Sequence, residues 1–143
     1  MSFIISEIPP TTKLLMKKKF VWREECPLSL EDLKQVNVLH KDFSGETKEG
    51  ILIVHPKMSE STCLIFEELY KLEFPIEKIR PIEEYDANDD LSMADNNSSC
   101  FNYRKIANSE IISMHSYGLA IDINPVQNPI KREFRIRKLG VQQ

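Results

Sequence analysis

The stretch Ser113-Met-His-Ser-Tyr-Gly-Leu-Ala-Ile-Asp122 places a histidine and a carboxylate seven residues apart, with Gly118 between them. Imidazole nitrogen and carboxylate oxygen are both common ligands of zinc. On one helix, seven residues rise about 10 Å, too far for two ligands of one ion. The local sequence also disfavours that helix. Gly118 permits a sharp turn, Pro125 forbids continuation, and Ile121-Asp122-Ile123 alternates as a strand does. Strand parity puts Ala120, Asp122 and Asn124 on one face and leaves Ile121 and Ile123 for a core. Asp122 then rests on a rigid extended element, and the Gly118 turn carries His115 back towards it. The pair reads as two ligands of a catalytic metal site. The competing reading is a hydrogen-bonded polar pair inside the domain.

The elements that must position this pair are short and of mixed type. Ser29-Leu-Glu-Asp32 has a capping serine and an acid three positions on, which predicts a short helix carrying Leu33 and Val36. Val36–Phe43 and Gly50–Val54 are apolar, β-branched runs separated by a Gly45-containing polar turn, a hairpin pattern. Ser59–Leu72 predicts the clearest helix, with Ser59 as cap and Cys63, Phe66, Leu69 and Tyr70 at helical spacing. Ile76–Ile82 reads as extended, and the acidic, amide-rich Glu84–Ser99 as a long loop. Together these predict an α+β fold: a small antiparallel sheet with flanking helices in a single compact domain.

Composition narrows the function. At 143 residues with a net charge of −3, the chain has room for one core and no basic field to attract nucleic acid. Lys17-Lys18-Lys19 is the longest basic run and reads as a solvated face. No apolar stretch approaches the ~20 residues of a membrane span. Phe3-Ile4-Ile5 is too short for a signal peptide, so the chain as written is expected in the cytoplasm. Cys26, Cys63 and Cys100 are odd in number and lack a C-x-x-C pair, which argues against a disulfide framework or zinc knuckle. Asp86-Ala-Asn88-Asp-Asp90 begins like a calcium loop, but Leu91 and Asn97 stand where a glycine and a bidentate glutamate are needed. Cys100 as a nucleophile beside His115 is a further alternative, less common than a buried structural thiol.

The sequence from Ser113 to Asp122 resembles the S-x-H-x-x-G-x-A-x-D signature of zinc D-alanyl-D-alanine carboxypeptidases and L-alanyl-D-glutamate endopeptidases, with all five fixed positions present. The resemblance extends through Phe74–Ile79, Tyr85–Asp90, Ser92-Met93, Asn96–Ser99, Phe101–Arg104, Ile123–Pro125 and Asn128-Pro129. It implies a carboxypeptidase-like core over residues 36–129, preceded by an extension with a short helix over 1–35. It also implies zinc as the cofactor, peptidoglycan peptide as the partner, and His115 and Asp122 as metal ligands. Arg104, in the F-N-x-R position, is expected to hold or polarise the substrate carbonyl, and Ser113 to lie beside the substrate and support the site.

Residues 130–143 depart from the pattern. The family closes its site with an E-x-W-H or D-x-M-H segment that supplies a third ligand and a general base. Only twenty-one residues follow Asp122 here, and none is histidine. The basic tail looks like an early termination, so zinc binding is expected to be weak or absent. His40 and His55 are the other histidines, and Glu133 is the only acid after Asp122 and hence the local candidate for a base. Two functions stay open: a zinc peptidase of cell-wall stem peptides, inactive as written, or a non-catalytic remnant or binding module that keeps the fold core.

Overall fold

The structure, a computed structural model, describes residues 3–106 and 109–128. Three antiparallel strands, β1 (Ile4–Glu7), β2 (Lys34–Lys41) and β3 (Thr47–Val54), form a sheet in the order β1-β2-β3. The expected hairpin is β2 and β3, in register at Val36↔Leu52 and Val38↔Gly50. Alternation along the strands separates two cores. Val36, Val38, Leu52 and Val54 pack with Phe66, Ile76, Ile79 and Cys100, while Ile53 points the other way to Met16, Val21, Leu33, Ile82 and Phe101. β3 is thus buried on both faces.

Helix α1 (Pro10–Lys18) contributes Met16 to one core, and α2 (Ser59–Lys71) contributes Phe66 to the other. A second, parallel pair, β4 (Lys78–Ile79) with β5 (Asn97–Ser98), lies against β3. Gly50 lets it approach: a Cβ there would stand 2.6 Å from Ile79 Cβ. Between β4 and β5 runs α3 (Asp89–Ala94), capped by Asn88, whose Oδ1 accepts from Leu91 N at 3.0 Å. The architecture is α+β, with a small antiparallel sheet and flanking helices. No helix among the described residues is long and apolar enough to cross a membrane.

Several local expectations fail for identifiable reasons. Ser29 closes a single turn, with its hydroxyl accepting from Glu31 N at 3.2 Å, but no helix follows because sheet pairing takes over at Lys34. Val36 is therefore a strand residue. Ser59 donates its hydroxyl to Pro56 O at 2.9 Å and caps nothing. The long loop over 84–99 contains α3 and β5.

Glu83 is buried, 4% exposed, with Oε1 lacking a hydrogen-bond partner. Burial pushes its pKa up to about 7. Because the folded value lies above the ordinary one, Glu83 favours the fold most below about pH 4.5 and loses that advantage as pH rises through 7. Glu83→Gln is therefore expected to stabilise the protein by about 2–3 kcal/mol at pH 8. The gain should shrink towards zero near pH 4.5; urea unfolding at the two pH values checks it.

Candidate functional site

Residues 102–106 run antiparallel to 111–115. Asn102 N donates to His115 O (3.1 Å), Ser113 N to Arg104 O (2.9 Å) and Ile106 N to Ile111 O (2.8 Å). The returning strand ends in a single-turn 3-10 helix, Met114–Tyr117. Ser113 caps it, with Oγ accepting from His115 N at 3.2 Å. Gly118 ends it in the left-handed region at φ +67°. Its carbonyl accepts from His55 N at 3.0 Å, and a Cβ on it would lie 2.5 Å from that nitrogen. The glycine is required by conformation and by space together.

Beyond the turn the chain returns extended. Asp122 is paired with Ser99 by two backbone hydrogen bonds, N to O in each direction, of 3.0 and 3.1 Å. Ile121 and Ile123 pack on the second core, as strand parity requires. The turn brings His115 Nε2 to 3.1 Å from Asp122 Oδ2. The other ring nitrogen, Nδ1, is 2.6 Å from Cys100 O. A carbonyl only accepts, so Nδ1 carries a proton and Nε2 is the ring atom left to face the carboxylate.

Burial disfavours the charged imidazole of His115, but the Asp122 hydrogen bond and charge, with the Cys100 carbonyl, outweigh it and raise the pKa. The nearby Arg104 charge acts in the opposite direction. Zinc binds nitrogen and oxygen at about 2.0–2.1 Å, and a tetrahedral angle then separates two ligand atoms by roughly 3.3 Å. The observed 3.1 Å suits two adjacent ligands. The Nδ1–H···O=C contact is also the outer-sphere bond that fixes a ligating histidine. Among the described residues no group of three potential ligands comes together.

Arg104 lies in the same region. Its backbone is bracketed by Ser116, whose Oγ accepts from Arg104 N and donates to Arg104 O, both at 2.9 Å. Its Nε forms an ion pair with Asp89 Oδ2 on α3, a partner that sequence reading missed because α3 was hidden in an apparent loop. Ser113 is buried beneath the turn, 3% exposed. His40 is a core residue, its Nδ1 2.6 Å from Ile76 O, and burial lowers its pKa. His55 follows β3 and accepts from Lys57 N. The Cys100 thiol is buried and its pKa is pushed up by desolvation. Cys100 meets His115 through its carbonyl, and a buried thiol with a raised pKa is a poor nucleophile. Glu133 lies outside the described residues.

Residues 107–141 match the family profile described as D-alanyl-D-alanine carboxypeptidase. That stretch contains Ser113, His115, Gly118 and Asp122, and it continues past Pro129 into the segment set apart above as a tail. Neither a curated protein nor a solved structure matches the chain. The chain is thus similar to this peptidase family over the segment that forms the turn.

Gly118→Ala is expected to destabilise the protein by at least about 2 kcal/mol, from left-handed backbone strain and the clash with His55. Urea unfolding measures it; a midpoint equal to that of the parent protein would contradict the assigned role of the turn.

Proposed function

We propose that this protein is a zinc-dependent peptidase of the D-alanyl-D-alanine carboxypeptidase type, acting on peptidoglycan stem peptides. The observation that carries the reading is the approach of His115 Nε2 to Asp122 at 3.1 Å, both inside the segment that matches the family, with Nδ1 held by the carbonyl of Cys100 upstream of it. Zinc, when bound, would supply the Lewis acidity that polarises a peptide carbonyl and acidifies water.

The residues themselves have separate tasks. His115 offers Nε2, its ring oriented by Cys100. Asp122 offers a carboxylate whose side chain is 45% exposed, so the pair opens towards solvent. Arg104 places a cation near His115, where it can hold the substrate's carbonyl or terminal carboxylate. Ser113 keeps the turn closed from below. Glu133, within the matched stretch, is the candidate for the base that takes a proton from water.

Calorimetric zinc titration and release of free D-alanine from a D-alanyl-D-alanine peptide test this reading. His115→Ala and Asp122→Ala should each weaken zinc binding at least about tenfold. Arg104→Ala should leave zinc affinity unchanged and lower hydrolysis by about 10²-fold or more. Zinc binding indifferent to both ligand substitutions would overturn the site. Binding that depends on them without any hydrolysis would support the module that keeps the fold but not the chemistry.

A further inference from the structure

The position of Arg104 is fixed from two directions. Its main chain is held to the His115 turn by Ser116 Oγ and by Ser113 N. Its side chain meets Asp89 through Nε, one edge of the guanidinium. Asp89 is itself constrained. It lies in the first turn of α3 behind the Asn88 cap, and its Oδ1 accepts from Asn102 Nδ2 at 3.3 Å. Asn102 is 4% exposed, and its backbone N donates to His115 O. One carboxylate therefore links α3, Asn102 and Arg104 to the turn that carries His115.

The way the guanidinium is engaged matters. A carboxylate that neutralised Arg104 completely would take two N–H groups in a fork. Asp89 Oδ2 instead makes an ion pair at Nε, a buried atom with no hydrogen bond of its own among the described residues, so no such fork is formed. Arg104 is 24% exposed at its side chain, and its charge is felt at His115.

We propose that Asp89 is a positioning residue: its charge, paired with Arg104 at Nε, keeps the guanidinium beside the His115 turn, where it receives a carboxylate or carbonyl oxygen of the bound peptide. The second half of this assignment rests on the peptidase reading; the first does not. Neutralising Asp89 leaves a long side chain with free rotation about several bonds, and its placement beside the turn is lost. Asp90, exposed on the same helix, has no such role.

Two measurements on the full chain separate the halves. Arginine Nε–H resonances, recorded without metal, should include one protected from exchange and assigned to Arg104 by its loss in Arg104→Lys. Asp89→Asn should move it to the position of solvated arginines, and Asp90→Asn should not; Asp89→Ser makes the same comparison where the amide disturbs folding. In the second, calorimetry with D-alanyl-D-alanine and zinc should show about tenfold weaker binding for Asp89→Asn and for Arg104→Ala, with the double variant no weaker than Arg104→Ala alone. An unmoved, protected Nε–H in Asp89→Asn would overturn the proposal. So would full-strength dipeptide binding by Asp89→Asn when Arg104→Ala has lost it. If the resonance responds and the parent protein binds no dipeptide, the clamp stands and the substrate reading fails.

Discussion

Two consecutive residues hold both halves of the candidate site. Ser99 pairs its backbone with Asp122, and the Cys100 carbonyl takes the proton of His115 Nδ1. Residues fifteen or more positions away in sequence are thereby set against one rigid strand. That strand is anchored on both sides of the sheet: Cys100 packs in one core, Phe101 in the other, and Phe101 N donates to Ile53 O at 3.1 Å. Any displacement of the site would therefore disturb two cores. Rigid elements of this kind are what hold ligands to the tolerance that metal binding needs.

The polar run before Ser99 serves the same strand. Asn97 is 1% exposed and brackets Arg80, with Oδ1 accepting from Arg80 N and Nδ2 donating to Arg80 O. Ser98 Oγ accepts from Asn124 N, and the Asn124 side chain in turn spans Pro75 O and Glu77 N. Buried amides are costly unless paired, and here their donors and acceptors replace sheet hydrogen bonds around an irregular segment. The site itself is asymmetric. His115 is nearly enclosed, whereas Asp122 and Arg104 reach solvent. A ligand would meet the carboxylate and the guanidinium first and the imidazole at the bottom.

Much of this was legible in the sequence where the physics was local. The β2–β3 hairpin followed from two β-branched runs around a glycine turn, and α2 from its helical spacing. The approach of His115 to Asp122 followed from strand parity plus one glycine. What stayed hidden depended on distant partners. Ser29–Asp32 has the signature of a helix start, yet the sheet takes the chain from Lys34. Residues 84–99 looked like a loop because they are rich in acids and amides. Asn88 is in fact a helix cap, and Asn97 a buried strut. The amide-rich run Asn96–Ser99 was the available signal, since polar residues that fold inwards must pair among themselves. Asp89 as the partner of Arg104 had no sequence signal short of locating α3.

The central claim is that Nε2 of His115 is the ligating atom and Nδ1–H stays on the Cys100 carbonyl. Long-range proton–nitrogen NMR of the imidazole during zinc titration addresses it directly. Zinc should shift the Nε2 resonance to that of a metal-bound nitrogen and leave Nδ1 protonated, with the change absent in His115→Ala. A shift at Nδ1, or an imidazole unaffected at saturating zinc, would contradict the account.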